Sequence, residues 1–425
     1  MAADARVETA PVDPAEVSAA QRRTLGVLSG ASVLSGIAVA GSIPAGALLA
    51  ASIADSEAAA GLAQTAGVVG AALLALPLAR IALTRGRRAA LSTGYALGAL
   101  GAVVVIASSL ARSLPGLLIG CLLVGVASAA GYQARYAATD LAEDHHRARA
   151  LSWVVWAGTI GAVLGPNLLG VSGNLGLSLG IPQLAGPYVV SLATLGLAAV
   201  LLFTLLRPDP YLLSVARRGA GMATPRLRDG IGHLRGRPRA VLGIAAISIG
   251  HVVMVMVMVM TPVHMAHVDV TLQLIGLVIS VHVAGMYALS PVVGWCVDRF
   301  GRLPMIVAGI VILTASCVIA GLAPADSVVQ LGIGLFLLGL GWSCTLIAGS
   351  ALVTDSVDAP ERPSVQGLSD LVMNTAGALG GVAAGVIVAV GSYGALCAAA
   401  AVPLLVLSVW ASLPACRGHS NTRSI

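Results

Sequence analysis

Lysine is absent from this sequence of 425 residues, so all 24 of its basic residues are arginine. A phosphate-binding loop of the Walker A type needs a lysine that reaches the nucleotide phosphates, and a retinal-type Schiff base needs a lysine amine. The absence of lysine therefore argues against a self-contained ATP-driven transporter and against a retinal protein.

Charged residues are also scarce. They make up 10% of the chain, whereas an ordinary soluble domain contains roughly 25%. Hydrophobic residues make up 57%, and the chain is long enough for two domains. This composition indicates an integral membrane protein.

The six cysteines include no CxxC pair. Five of them fall in or beside apolar runs, a pattern typical of reduced packing residues rather than disulfides. These five are Cys121, Cys296, Cys317, Cys344 and Cys397. We therefore expect no disulfide, no metal knuckle and no cofactor.

Twelve apolar segments are long enough to cross a bilayer, since a spanning helix needs about 20 residues. We number them spans 1 to 12, and they lie near 25–50, 60–80, 89–110, 115–137, 151–172, 187–206, 241–262, 272–294, 303–322, 327–350, 366–390 and 394–413. The predicted fold is an all-α integral membrane protein with twelve transmembrane helices. Residues 1–23 lack an apolar core, so we expect no cleavable signal peptide.

The arginines cluster in alternate loops, and this distribution predicts the orientation of the chain. With a cytoplasmic N-terminus, the loops after even-numbered spans carry nearly all of them, and only Arg112 falls outside. Arginine is retained on the cytoplasmic side of a membrane. We predict a multi-pass protein of the cell inner (plasma) membrane with both termini cytoplasmic. The formal charge of +6 then faces lipid headgroups, and no nucleic-acid partner is expected.

The polar segment 207–240 divides the spans six and six. The predicted organisation is a cytoplasmic tail, a six-helix bundle, a basic linker, a second six-helix bundle and a second cytoplasmic tail. Their ranges are 1–24, 25–206, 207–240, 241–413 and 414–425. The linker is expected to lie against anionic lipid headgroups, and a regulatory site is the alternative.

One offset of 215 residues superposes several positions of the two halves. Gly86-Arg87 falls on Gly301-Arg302, Thr139-Asp140 on Thr354-Asp355, Arg147 on Arg362, and Gly165 on Gly380. Because one offset aligns residues in several loops and spans, it predicts two six-helix pseudo-repeats.

The segment GWCVDRFGR, from Gly294 to Arg302, joins spans 8 and 9 through a short charged turn. A glycine, three residues and then Asp-Arg-x-Gly-Arg resembles the signature between helices 8 and 9 of the major facilitator superfamily. The resemblance implies a monomeric, non-enzymatic transporter that moves a small molecule or ion by alternating access.

Each residue of this turn has an expected role in gating. Gly294 would let helix backbones approach closely, and Asp298 would pair with an arginine or cap a helix. Arg299, Gly301 and Arg302 complete the motif. The alternative is that Arg299 and Arg302 only anchor the cytoplasmic face.

The first-half copy of this motif is incomplete. Leu83 stands in place of the acid and Ala79 in place of the leading glycine, which leaves Gly86 to Arg88. This departure puts a latch in the N-terminal half in doubt.

Span 5 contains GTIGAVLGPNLLG, in which small residues would form a groove for a neighbouring helix and a proline would bend the span. The motif residues are Gly158, Gly161, Gly165 and Pro166. The run resembles the GP-containing signature of drug–proton antiporters in the superfamily. Leu169-Gly170 stands where that signature has its closing glycine pair, so ordinary packing remains an alternative.

Few ionisable or amide side chains lie within the apolar spans, and such groups usually face a cavity. The candidate substrate or proton residues are Gln133, Arg135, His251, Asp370 and Asn374. Arg135 also lies close enough to the end of span 4 to extend to the interface. An interfacial helix cap is the alternative for Asp370.

Soft donors recur in spans 7 and 8. Met256 and Met260 are four residues apart, as are His282 and Met286. Thioethers and imidazole suit Cu(I), and the pairs resemble those of the copper-importing, CcoA-like branch of the superfamily. Core packing and a site for varied organic compounds are the alternatives.

The sequence thus predicts a secondary transporter of a small solute, coupled to protons, with efflux of a small organic or drug-like compound favoured. Copper uptake through the Met/His residues is one alternative. A non-transporting membrane receptor of the same fold is another.

Overall fold

The computed structural model describes residues 14–142, 147–218, 231–232, 234, 236–357 and 362–413. The predicted tail 414–425 and parts of the tail 1–24 and the linker 207–240 lie outside these residues. Within the described ranges the chain is helical and contains no strand.

The helices follow the predicted order of spans. Span 1 is Pro14–Ala54, spans 2 and 3 form Ala60–Leu110, span 4 is Leu114–Ala137, span 5 is Arg147–Asn167 with Leu169–Ser178, span 6 is Gly186–Leu205, a linker helix is Pro210–Arg218, span 7 is Pro238–Ala266, span 8 is Leu272–Tyr287 with Ser290–Phe300, span 9 is Arg302–Gly321, span 10 is Val328–Asp355, span 11 is Arg362–Val390, and span 12 is Tyr393–Ser412. Span 1 begins before the predicted position 25, because its helix continues without a break from Pro14.

Eleven of the described helical segments are long and apolar enough to cross a membrane. The number is twelve if the two parts of span 5, which meet at an angle of 55°, count as one. This bend follows Pro166, the residue predicted to bend the span. The structure is therefore the all-α membrane fold that the sequence predicts.

Gly86 and Gly301 each lie in a tight turn, and both turns are on the same face of the molecule. We call the face that carries these two turns the arginine face. Gly86 has φ 88° and ψ 171°, and Gly301 has φ 95° and ψ 163°. A residue with a Cβ is strained at such φ values, whereas glycine is not. The two turns have the same geometry and are separated by the offset of the predicted repeat.

The two halves pack their spans in the same pattern. In the first half, span 4 packs on span 3, span 5 on span 1, and span 6 on spans 1 and 3. In the second half, span 10 packs on span 9, span 11 on span 7, and span 12 on spans 7 and 9. Many large apolar side chains remain exposed on the outside, as a lipid-facing surface requires. The molecule therefore consists of two equivalent six-helix bundles.

The bundles contact each other from mid-depth to the face opposite the arginine face. The Thr65 hydroxyl donates to Ala378 O at 2.9 Å, and the Ser280 hydroxyl donates to Val163 O at 3.0 Å. At the opposite face itself, His267 Nε2 lies 2.8 Å from Glu57 Oε1. These contacts join the two bundles on one side of the membrane.

Glycine permits the close approach between the bundles. A Cβ at Gly61 would overlap the carbonyl of Gly381, and one at Gly385 would overlap the backbone of Ala58. Backbone-to-backbone packing of this kind stabilises helix association in lipid, where apolar burial gives little driving force.

Within the first bundle, the predicted glycine groove of span 5 holds span 1. A Cβ at Gly161 would lie 3.0 Å from Ile37 N and even closer to the Val33 carbonyl, and one at Gly165 would lie 2.8 Å from Gly41 N. At Gly158 the nearest atom to an added Cβ is Ser32 Cβ at 3.8 Å, an ordinary contact. The groove therefore depends on Gly161 and Gly165 rather than on Gly158.

We expect Gly161→Ala to destabilise the protein by about 1–3 kcal/mol, because the added methyl group forces two backbones apart. Gly158→Ala, on the same helix, is the matched control and should leave stability unchanged. The thermal midpoint of the purified protein in detergent measures both. Equal midpoints for the two variants would contradict this account of the groove.

Candidate functional site

Arg135 lies near the arginine-face end of span 4 with an exposed side chain. Its Cζ is 5.0 Å from the centre of the Tyr132 ring, a cation–π contact. Arg135 also lies close enough to Asp370, on span 11, for an electrostatic interaction. A cation of one bundle therefore lies near an anion of the other.

Asp370 is exposed, and its carboxylate has no hydrogen bond or ion pair within the described part of the chain. The Asn374 side chain donates to the backbone oxygen of Asp370 at 2.7 Å. The amide of Asn374 is therefore used within its own helix.

Aromatic side chains surround this charged pair. Tyr132 is 43% exposed, and Tyr287 on span 8 lies close enough to both Arg135 and Tyr132 to interact electrostatically. Behind Tyr287, the buried Trp342 ring packs edge-on at a centroid distance of 5.8 Å. The Trp342 indole N–H donates to His251 Nδ1 at 3.2 Å.

Tyr132, Tyr287 and Trp342 are residues of this group that the sequence alone does not single out. The signal in the sequence was the scarcity of aromatic residues, since the chain has only five Trp, seven Tyr and three Phe residues. Three of these lie together at the boundary between the bundles. Their grouping could not be inferred from spacing, because they come from three different spans.

Gln133 does not belong to this group. Its side chain is buried and donates to Ala75 O on span 2 at 3.3 Å. Gln133 and Arg135 are two residues apart on one helix, so their side chains point in different directions. Gln133 therefore packs within the first bundle.

The charged turn between spans 8 and 9 is organised around Arg302. Its Nε donates to Asp355 Oδ2 at 2.9 Å, whereas its Nη1 lies 3.3 Å from Asp298 Oδ1. Asp298 is 78% exposed, and Arg299 is also exposed. The shorter contact of Arg302 is thus with the end of span 10, not with the acid of its own turn.

The close approach expected at Gly294 is absent in this conformation. A Cβ added there would meet no heavy atom within 4 Å, so no neighbouring backbone occupies that side of the helix. The positive φ of Gly301, by contrast, makes a glycine necessary at the turn.

The first half carries an equivalent ion pair despite its incomplete motif. Arg87 Nε donates to Asp140 Oδ2 at 2.8 Å, and its Nη2 donates to Oδ1 at 3.3 Å. Asp209, just before the linker helix, accepts a hydrogen bond from the Arg88 backbone N–H at 2.8 Å. Asp209 therefore brings to this turn the carboxylate that Leu83 lacks.

The soft donors of spans 7 and 8 face different neighbours. Met256 lies against span 11, where a Cβ at Gly380 would be 3.4 Å from Met256 Cγ. His282 is buried against span 10 and its Nδ1 is 2.8 Å from Leu335 O, while Nε2 is buried without a hydrogen-bond partner. Met260 and Met286 are buried too. No group of three or more His, Cys, Asp or Glu residues suited to a metal occurs in the described ranges.

The opposite face carries an open depression of about 1030 Å³ between the bundle ends. Its polar lining includes Asp55, Glu57, Asn174, Gln183, His267 and Asp269. The contacts between the bundles lie beneath it. The depression is therefore separated from the Arg135–Asp370 region.

Two equivalent bundles that are joined on one side and present facing charges on the other define a multi-pass membrane transporter fold. The sequence profile of the Major Facilitator Superfamily matches residues 28–270 and 252–420. The chain belongs to this superfamily and is a transporter, not an enzyme.

Individual proteins agree with this assignment. The chain is 39% identical over 386 residues to "Uncharacterized MFS-type transporter YdeG" of Bacillus subtilis, covering 90% of each chain. It is 32% identical over 310 residues to "Riboflavin transporter RfnT" of Brucella anthropi, covering 72% of this chain and 74% of the relative. The structure of the nucleoside transporter NupG has a TM-score of 0.71 at 14% identity, over 92% of this chain and 99% of that chain. At that identity the likeness concerns the fold alone.

The two equivalent ion pairs should differ in strength, because their exposure differs. The side chains of Arg87 and Asp140 are 16% and 14% exposed, whereas those of Arg302 and Asp355 are 29% and 52% exposed. We expect Asp140→Asn to cost about 1.5–3 kcal/mol of stability. Asp355→Asn should cost about 1 kcal/mol or less, because solvent screens that pair.

Thermal midpoints in detergent, at low and high salt, measure this difference. Asp326→Asn, which changes an exposed acid in the loop before span 10, is the control. A larger loss for Asp355→Asn than for Asp140→Asn would show that the ranking by exposure is wrong.

Proposed function

We propose that this protein is a secondary active transporter that moves a small, planar, heteroaromatic solute by alternating access and is coupled to protons. One observation carries the proposal: Arg135 of one bundle lies close enough to Asp370 of the other to interact electrostatically, beside the exposed ring of Tyr132 and the half-buried ring of Tyr287. A solute bound between them would contact both bundles at once. Such a solute can bias the relative position of the two halves.

Alternating access is supported by the one-sided contact between the bundles. Hydrogen bonds and glycine packing join them from mid-depth to the opposite face, while Arg135 and Asp370 are exposed below that layer. The excess of arginine indicates that the arginine face is cytoplasmic. We therefore assign this conformation to a state that is open toward the cytoplasm, in a monomeric protein of the plasma membrane with both termini inside.

The class of solute follows from the groups available. Tyr132 and Tyr287 offer ring faces, and aromatic rings stack on planar solutes in offset or edge-on arrangements. Arg135 donates hydrogen bonds and Asp370 accepts them, so together they orient a solute with both carbonyl and N–H or hydroxyl groups. A flavin has these features, and the riboflavin transporter of Brucella anthropi is a 32% identical relative. Riboflavin is therefore the first solute to test.

Proton coupling would use the Asp370 carboxylate. An ionised carboxylate inside the membrane is costly unless a cation or water faces it. When the bundles close on the arginine face, Asp370 must either pair with Arg135 or take up a proton. A solute that donates a hydrogen bond to Asp370 and a proton that neutralises it would compete for the same carboxylate. The solute and the proton would then cross in alternation and in opposite directions.

The ion pairs of the arginine-face turns would keep each bundle rigid in this cycle. Arg302 joins the start of span 9 to the end of span 10 through Asp355, and Arg87 joins span 3 to the loop after span 4 through Asp140. These pairs hold neighbouring spans at fixed distances while the bundles move. We retain efflux as the direction, since the glycine motif of span 5 resembles that of drug–proton antiporters.

The test is riboflavin transport in proteoliposomes. Purified wild-type protein should exchange labelled riboflavin for unlabelled riboflavin, and a pH gradient should drive its net movement. Asp370→Asn should keep the exchange but lose the response to pH, because exchange needs no net proton movement. Arg135→Gln and Tyr287→Leu should reduce exchange tenfold or more, while Tyr287→Phe keeps the ring and most of the activity.

Asp326→Asn is the control for removal of an acid away from the site. Exchange of non-aromatic solutes, but not of riboflavin or other planar compounds, would overturn the proposed solute class. If no solute in such a panel is transported, the non-transporting receptor becomes the better interpretation.

Copper uptake remains a second candidate because His282 Nε2 is buried without a hydrogen-bond partner. An unpartnered imidazole nitrogen is a suitable donor for Cu(I). The separate orientations of Met256 and His282 argue against it.

We expect copper accumulation in cells to be the same for wild type, for empty vector and for a variant with Met256, Met260 and Met286 changed to Leu and His282 to Gln. Leucine preserves the volume of methionine, so the fold should tolerate the change at less than about 1.5 kcal/mol per site. Accumulation that exceeds the empty-vector level and is lost in the variant would establish the copper site instead.

A further inference from the structure

His251 occupies a constrained position at the middle of the boundary between spans 7, 10 and 11. Trp342 of span 10 lies on one side of its ring, with its indole nitrogen 3.2 Å from His251 Nδ1. On the other side, the ring lies over Gly377 of span 11, where an added Cβ would be 2.8 Å from Nε2. Both ring nitrogens therefore have defined surroundings.

The hydrogen bond to Trp342 determines the protonation of the imidazole. An indole nitrogen carries a hydrogen and cannot accept, so it must donate to His251 Nδ1. Nδ1 then has no hydrogen of its own. In a neutral imidazole the hydrogen must consequently be on Nε2, which makes Nε2 a hydrogen-bond donor.

Nε2 has no hydrogen-bond partner within the described part of the chain, and it is not sealed in the core. His251 is half-buried, whereas Nε2 of His282 is both unpartnered and fully enclosed. Gly377 has no side chain, so only its backbone packs near this edge of the ring. The Nε2–H of His251 is therefore unpartnered but not fully enclosed, so a solute can reach it.

This donor lies in line with the charged part of the site. Asp370, Asn374 and Gly377 follow one another along span 11 at intervals of four and three residues, which places them on one helix face. Gly377 is about 10 Å deeper in the membrane than Asp370, at 1.5 Å per residue. A planar solute held by Arg135 and Asp370 at one end would present its other end to His251.

We propose that His251 is a specificity-determining residue that donates a hydrogen bond from Nε2 to a carbonyl oxygen or ring nitrogen of the solute, and that Trp342 is the positioning residue that fixes this tautomer. The inference rests on the proposed transport of a planar heteroaromatic solute. It also separates two roles at the site. Asp370 exchanges protons, whereas His251 stays neutral, because a hydrogen on Nδ1 would oppose the indole N–H and break their bond.

Amide substitutions distinguish the two ring nitrogens. In His251→Gln the terminal amide reaches the position of Nε2 and still offers an N–H, whereas in His251→Asn the shorter amide reaches only Nδ1. We expect His251→Gln to keep the KM for riboflavin exchange within about threefold of wild type. His251→Asn and His251→Phe should raise it tenfold or more. A Gln variant that is as impaired as the Phe variant would overturn the proposal.

Trp342→Phe tests the positioning role with a readout that loss of packing alone would not change. In protein labelled with ¹⁵N-histidine, the ring nitrogen shifts of His251, assigned by comparison with His251→Gln, report the tautomer directly. Wild type should show the Nε2–H form from pH 6 to pH 8, and Trp342→Phe should show a mixture of tautomers together with a raised KM. A wild-type ring in the Nδ1–H form, or one that is protonated in this range, would contradict the inference.

The two proposals fail in different ways. The tautomer is measured without any solute, so a wild type that does not transport riboflavin but shows the Nε2–H form refutes only the proposed solute. Gly377→Ala provides a further check, because the added methyl group would press on the Nε2 edge of the ring and should raise the KM. Wild-type transport with unchanged KM in all these variants would remove His251 from the site and leave the transport function intact.

Discussion

The structure depends on the requirement that backbone polar groups be satisfied without water inside a bilayer. Helices meet this requirement within each segment, but they leave little apolar driving force to hold the segments together. Close packing of helix backbones holds the segments together in place of apolar burial. Gly161 and Gly165 bring span 5 against span 1, and Gly61 and Gly381 bring the two bundles together. The positions of these glycines therefore determine which parts of the molecule are tightly packed.

The glycine contacts between the bundles are unevenly distributed, and this creates the functional asymmetry. They lie from mid-depth to the face opposite the arginine face, where they bring the backbones of the two bundles into contact. Toward the arginine face the boundary holds Arg135, Asp370 and aromatic rings instead. Large or charged side chains cannot pack as closely as glycine, so this part of the boundary stays accessible. Residues of both bundles therefore line this part of the boundary.

Duplication has preserved geometry more faithfully than sequence. Arg87–Asp140 and Arg302–Asp355 have Nε to Oδ2 distances of 2.8 and 2.9 Å, and both follow a glycine with positive φ. The first copy has lost the acid of its turn, yet Asp209 from the linker binds the backbone there. A carboxylate from a distant segment can thus serve where a local one is missing.

Hydropathy, arginine distribution and one repeated offset were sufficient to predict the helices, their number and the two-bundle fold. These signals are local or periodic, so they survive in the bare sequence. Which side chains meet was decided only by the tertiary structure. Arg135 and Asp370 lie in different halves, and Trp342 reaches His251 across 91 residues of chain. The direction of each side chain depends on how a helix is rotated within its bundle, and small residues on other helices determine that rotation.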